Sequence, residues 1–225
     1  MHTSTVRHPP GCKHPGWKDH WENLHAQKDP AEVSWYQSHP QHSLSLIGDT
    51  GIGTAASIID IGGGASSLVD HLLEGGYRDI TVLDIARTAI QRTQLRLGDR
   101  SQQVTWVESD VTDYIPGQAF DIWHDRAVFH FLTEGSDRGS YLEALHNHLK
   151  PGGQVIIATF SDSGPSQCSG LDVMRYSPET LSYTLGPRLR LVETLTEEHQ
   201  TPNGGLQQFV YCRFRYNRAA SNLAI

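Results

Sequence analysis

Between Ser57 and Phe160, short apolar runs alternate with stretches of helical periodicity, and no other feature of the chain constrains its fold as tightly. Ser57–Ile61, Ile80–Asp84, Val104–Glu108, Phe120–Trp123 and Gln154–Phe160 have the length and β-branched content of strands buried on both faces. Ser66–Glu74, Thr88–Leu97 and Ser140–Leu149 lie between them and carry apolar residues at helical spacing. Strands joined by helices form right-handed crossovers, so an α/β fold with a parallel sheet covered on both sides is predicted. Beyond residue 188 the pattern changes. Leu189–Thr196 and Gln207–Tyr216 flank Pro202-Asn203-Gly204-Gly205, which predicts an antiparallel hairpin closing one sheet edge.

The 225 residues are enough for one such domain and a decoration. Residues 1–16, with Pro9, Pro10, Gly11, Pro15 and Gly16, show no periodicity and read as a flexible tail. Residues 17–50 read as a helical cap, because Trp17, Trp21 and Leu24 recur at helical spacing and Ser43–Ile47 follows the Pro30 and Pro40 breaks. Residues 51–218 form the main domain, and 219–225 a C-terminal tail. The formal charge of −7, with no block of Lys or Arg, argues against a stable nucleic-acid partner, since phosphate binding draws on clustered cations. The chain has no apolar run long enough for a membrane span. Cys12, Cys168 and Cys212 are too few and too scattered for a disulfide framework. A soluble cytoplasmic protein is expected. No metal is expected either, because Cys12, His14 and His20 fit no ligand spacing.

The chemistry concentrates in Ile59-Asp60-Ile61-Gly62-Gly63-Gly64-Ala65-Ser66-Ser67-Leu68. Glycines leaving the first strand let a ligand approach the backbone, and the following helix offers unpaired N–H groups. Asp84 ends the second strand 22 positions after Gly62, where a carboxylate can accept from both hydroxyls of a ribose. Asp110 ends the third strand, where it can accept from an adenine amino group while Val111 presses on the ring. Asp60 lies two residues ahead of the glycine turn, where it would repel a pyrophosphate and attract an ammonium. Ser67 stands where the dinucleotide pattern has a glycine, a second mark against a nicotinamide cofactor.

In these residues the chain resembles the class I S-adenosylmethionine-dependent methyltransferases over roughly residues 55–216. Asp60, Gly62 and Gly64 look like that family's first motif, Asp84 its ribose acid, Asp110 and Val111 its adenine contacts, and Leu149-Lys150-Pro151-Gly152-Gly153 its turn before strand five. Ser66 departs from the third glycine that many members carry. The resemblance implies a Rossmann-like three-layer sandwich on a seven-stranded, mostly parallel sheet with an antiparallel last strand, and S-adenosyl-L-methionine as cofactor, leaving S-adenosyl-L-homocysteine as product. Gly63, Ser67 and Ile85 are expected among the cofactor contacts. Trp21-Glu22-Asn23-Leu24-His25-Ala26-Gln27 with Ser34-Trp35-Tyr36 is similar to the front segment of methyltransferase-like protein-lysine enzymes, including those acting on citrate synthase and elongation factor 1A. Those carry Asp-Lys-Gly-Thr-x-Asp after strand four. Here the run is Asp125-Arg126-Ala127-Val128-Phe129-His130, which keeps only the leading acid and base.

Methyl transfer from a sulfonium is an in-line displacement that asks mainly for alignment and exclusion of water. His124 and Asp125, expected to leave the carboxyl edge of the sheet after strand four, are the candidate catalytic residues, His124 also as a cofactor contact. A structural Asp125–Arg126 ion pair beside a half-buried His124 is the competing account. Trp21 and Trp35 are expected to fold over the cofactor as an aromatic lid. The expected acceptor is a small molecule bearing N, O or S. A protein lysine is the alternative, and a nicotinamide-dependent oxidoreductase or a non-catalytic cofactor-binding module stands further off. A macromolecular acceptor calls for an open acidic trough, a small one for a closed aromatic pocket.

Overall fold

The structure is a computed structural model that describes residues 14–115 and 117–218. Cys12, most of the expected N-terminal tail and the expected C-terminal tail lie outside the described residues. Strands β1 (Ser57–Ile61), β2 (Asp79–Asp84), β3 (Val104–Glu108), β4 (Phe120–Arg126) and β5 (Leu149–Phe160) run parallel. Between them come α3 (Leu68–Glu74), α4 (Arg87–Leu97) and α5 (Gly135–His148), while α1 (Pro15–Gln27) and α2 (Gln41–Gly48) precede the sheet. A two-stranded hairpin, β6 (Gln167–Cys168) and β7 (Leu171–Asp172), and α6 (Pro178–Leu185) separate β5 from the closing pair, β8 (Leu189–Gln200) and β9 (Leu206–Tyr216). The seven main strands are ordered β3-β2-β1-β4-β5-β9-β8, with β9 antiparallel to both of its neighbours. This is a Rossmann-like three-layer α/β fold.

Side chains alternate across the sheet, so each strand feeds two cores. Ile59, Ile61 and Trp123 pack with Phe129, Tyr141 and Leu181 on one side. Ile58 and Ile122 pack with Leu68, Leu72 and Phe160 on the other. The expected end of the fourth strand needs correction, because β4 runs three residues past Trp123, through His124 and Asp125 to Arg126. Asp60 on β1 therefore sits directly beside His124 in register, and Asp125 points to the opposite face.

Helix α1 is pinned across the carboxyl ends of β2 and β3. Glu22 Oε1 accepts from the Arg87 backbone N–H (2.7 Å) and Oε2 from the Thr88 N–H and hydroxyl (3.1 and 2.7 Å), so a residue of α1 caps α4. Lys18 Nζ donates to Glu108 Oε1 at 2.6 Å, further along the same face.

Candidate functional site

Where β1 to β4 end, the sheet opens into a cavity of about 1240 Å³, counting its mouth, roofed by α1 and the segment from Pro30 to Pro40. Its floor is the glycine turn after β1. Gly62 has φ +70°, and a Cβ there would lie 2.2 Å from Val128 Cγ2. At Gly63 a Cβ would lie 2.2 Å from Asp60 Oδ2, so the carboxylate lies against a turn with no room for a side chain.

Asp60 is 2% exposed. His124 Nδ1 donates to its Oδ1 at 2.7 Å, since a carboxylate can only accept, and the Ser43 hydroxyl donates to His124 Nε2 at 2.8 Å. Asp60 Oδ2 is buried with no hydrogen-bond partner among the described residues. A buried carboxylate oxygen left open at a cavity wall calls for a cationic or donor group from a ligand. His124 thus has both ring nitrogens engaged, and its visible work is to orient Asp60.

Asp84 Oδ2 accepts from the Gly64 N–H (3.0 Å) and Oδ1 from the Ala86 N–H (2.8 Å). Burial pushes its carboxyl up to about 6, against the lowering effect of those two amides. Asp110 Oδ1 accepts from the Thr112 N–H and hydroxyl (2.9 and 2.8 Å). Its Oδ2 meets His14 Nδ1 at 3.0 Å, and the His14 ring stacks on Trp17 with centroids 4.2 Å apart.

Of the residues singled out by sequence, Asp60, Gly62, Gly63, Ser67, Asp84, Ile85, Asp110, Val111, His124, Trp21 and Trp35 all line this one cavity. Gly64 does not; its amide is turned to Asp84. Asp125 is placed on the far side of β4, fully buried. Its Oδ2 accepts from the Tyr141 hydroxyl at 2.8 Å, and its Oδ1 from the Val128 and Phe129 amides at 3.0 and 3.2 Å. Arg126 makes no ion pair with it and instead faces Glu197 Oε2 at 3.8 Å.

Other lining residues were not among the expected cofactor-binding or catalytic residues. His25 follows Trp17 and Trp21 at steps of four, which puts all three on one face of α1, a spacing that was readable. Arg126 and Cys168 also line the cavity, and burial pushes the Cys168 thiol up to about 11. Nothing local marks these two, for the fold alone brings them to the site. Among the described residues no cluster of His, Cys, Asp and Glu fits a metal, and no helix is long and apolar enough to cross a membrane.

A strand order of 3-2-1-4-5 with an antiparallel closing pair, and acids at the ends of β1, β2 and β3 around a glycine turn, is the arrangement that the resemblance to class I S-adenosylmethionine-dependent methyltransferases implies. In comparison with known proteins, residues 59–155, a little under half of the chain, match the sequence profile of a methyltransferase domain family. Nodulation protein S of Rhizobium tropici is 25% identical over 123 residues, 55% of this chain and 51% of that protein. The eEF1A lysine and N-terminal methyltransferase of Mus musculus is 27% identical over 121 residues, 53% of this chain and 17% of that one. The chain thus spans about half the length of the first relative and a small part of the second. Among solved structures, the N-methyltransferase NodS from Bradyrhizobium japonicum WM9 in complex with S-adenosyl-L-homocysteine superposes with a TM-score of 0.68 at 19% identity, over 88% of this chain and 97% of that one.

Proposed function

We propose that the protein transfers a methyl group from S-adenosyl-L-methionine to a nitrogen, oxygen or sulfur atom of a small molecule, releasing S-adenosyl-L-homocysteine. The observation that carries this reading is the unpartnered Oδ2 of Asp60 at one end of a cavity whose other carboxylates, Asp84 and Asp110, stand at the ends of successive strands. Asp60 suits the ammonium of the methionine moiety, Asp84 the ribose hydroxyls and Asp110 the adenine amino group, with Ile85 and Val111 against the ring. The cofactor when bound supplies an electrophilic methyl carbon on a sulfonium. The chain's own part is to hold Asp60 through His124 and Ser43, and to shut out water with the roof of Trp21, Trp35 and Phe131. Asp125, away from the cavity, serves as a positioning residue for the turn after β4. Free, buried Cys168 and Cys212 support a reducing compartment such as the cytoplasm.

A protein-lysine acceptor is the second reading, favoured by the eEF1A methyltransferase relative. The aromatic roof over the cavity weighs against it, because a protein side chain needs an open approach.

Titration calorimetry tests the reading. S-adenosyl-L-methionine and S-adenosyl-L-homocysteine are expected to bind in the micromolar range and NAD not at all, and binding of NAD alone would overturn it. The affinity is also expected to fall as pH drops through about 6. Ribose hydroxyls donate to the ionised Asp84, so the ligand favours the deprotonated carboxyl and loses its acceptor when the group protonates. Calorimetry at pH 7.5, 6.5 and 5.5 measures this, and a flat profile would remove Asp84 from the ribose.

A further inference from the structure

The cavity is lopsided in charge. Among the described residues its lining carboxylates are Asp60, Asp84 and Asp110, all assigned above to the cofactor. The remaining side, under Trp21, Trp35 and Phe131, presents one ionic group, Arg126. The Arg126 guanidinium is held in place: Nε donates to the Tyr211 hydroxyl (2.8 Å), Nη1 donates to the Trp35 carbonyl (2.7 Å), and the group lies 4.6 Å from the centre of the Phe209 ring. Its Nη2 has no hydrogen-bond partner among the described residues and stands 3.8 Å from Glu197 Oε2.

His25 projects from α1 into the same side. It is 5% exposed, and its Nδ1 is buried with no hydrogen-bond partner among the described residues. Burial, helped by the nearby charge of Arg92, lowers its pKa to about 4, so the ring is neutral at physiological pH. Trp21 meets Phe131 edge-on at 5.0 Å and Trp35 at 5.8 Å, and Trp35 meets the His25 ring at 6.5 Å. These rings wall a slot suited to a flat apolar body. An ammonium entering it would meet a guanidinium and no free carboxylate, with a sulfonium close by, and like charges in a poorly solvated site repel strongly.

Building on the methyltransferase reading, we propose that the acceptor is a planar aromatic or heteroaromatic small molecule, uncharged or anionic, that presents an N–H or O–H nucleophile to His25 and a neighbouring oxygen or ring nitrogen to Arg126 Nη2. The nucleophile's lone pair forms the new bond to the methyl carbon while the sulfur keeps the pair of the broken C–S bond and becomes a neutral thioether. The nucleophile's proton passes to a ring nitrogen of His25 and then to water at the mouth. A weakly basic imidazole suffices for a hydroxyl or an amide-type N–H, because the newly methylated, still protonated centre is then a far stronger acid than even this imidazolium.

The test uses the full chain with 4-hydroxyquinoline and 2-hydroxybenzamide as planar probes, and phenethylamine and Nα-acetyl-lysine amide as ammonium probes. Binding to the complex with S-adenosyl-L-homocysteine is followed by calorimetry, and transfer by label from S-adenosyl-L-methionine. The planar probes are expected to bind and to take up label, and the ammonium probes to do neither. His25→Ala is expected to cut kcat/KM for a planar probe at least tenfold while the affinity for S-adenosyl-L-homocysteine stays within about twofold. Arg126→Lys, which keeps the charge but not the fork, is expected to raise KM more than it lowers kcat. Preferential labelling of an ammonium probe overturns the proposal. So does failure of both planar probes to bind a complex that holds S-adenosyl-L-homocysteine. Failure of S-adenosyl-L-homocysteine itself to bind overturns the methyltransferase reading, and the proposal with it.

Discussion

Replacing Asp60 by asparagine is expected to weaken binding of S-adenosyl-L-homocysteine by about 10- to 150-fold, the loss of one charge-assisted hydrogen bond of about 1.5–3 kcal/mol, and to leave the affinity for adenosine unchanged within about twofold. The variant keeps the shape of the site. An asparagine oxygen can still accept from His124 Nδ1, so the chain from Ser43 through His124 survives. What changes is the atom now left open, Oδ2, which becomes an NH2 and offers a proton where a ligand ammonium also offers one. The amide cannot turn away easily, because Oδ2 lies against the Gly63 backbone so closely that a Cβ there would be 2.2 Å from it. Adenosine lacks the amino-acid half and has nothing to lose at this end. Calorimetry with both ligands separates the outcomes, and an equal loss for adenosine would show that Asp60 does not face the amino-acid moiety. Ser43→Ala tests the support beneath it: a smaller loss is expected, since the histidine keeps one of its two anchors.

The parts of the molecule that sequence reveals are those whose cause is local. β1 ends where its apolar run ends, at Ile61, because every residue of that strand is buried and only apolar or specifically paired residues are tolerated there. The glycine turn and the acids after it were legible because backbone approach and charge leave a fixed spacing. β4 was read short for the converse reason. His124, Asp125 and Arg126 are polar, so the hydrophobic signal stops at Trp123, yet the ladder with β5 continues through all three. What allows buried polar residues in that strand is partners 81 and 64 positions away for His124 and 16 for Asp125, and no local pattern records them. Helix α6 was missed although its start was written plainly: Ser177, Pro178 and Thr180 form a reciprocal cap over only eight helical residues. The side of the cavity away from the three carboxylates was the least legible of all, since it is assembled from α1, β4 and the β6 strand, which only the fold brings together.

Asp125→Ala is expected to destabilise the fold by about 3–5 kcal/mol, at about 1–3 kcal/mol for each buried donor left without an acceptor, and thus to lower the melting temperature by about 6–20 °C at roughly 2–4 °C per kcal/mol. Three donors converge on this carboxylate, and alanine would leave the buried Val128 and Phe129 amides without an acceptor and the Tyr141 hydroxyl with only Trp123 Nε1, which donates to it at 2.9 Å. The turn it braces is strained. Ala127 has φ +67°, a left-handed conformation that costs a residue bearing a Cβ about 1–2 kcal/mol, and the two amides held by Asp125 follow immediately after it. That turn also presses Val128 against Gly62, whose own φ is +70°, so Asp125 reaches the cavity floor indirectly, through the backbone. Asp125→Asn, which still accepts from both amides and removes a buried charge, is expected to cost no more than about 1 kcal/mol and to change kcat by less than about threefold. Wild-type protein should lose stability as pH rises from about 4 to 6. The folded-state carboxyl, raised to about 6 by burial, binds its proton more tightly than the unfolded one, and the asparagine variant lacks this contribution. Ala127→Gly, which relieves the strained backbone, should recover part of the stability lost in Asp125→Ala. Thermal melts of the single and double variants, with turnover of Asp125→Asn, decide between the roles. A folded Asp125→Asn protein that binds S-adenosyl-L-homocysteine normally and does not turn over would assign the acid to the chemistry instead.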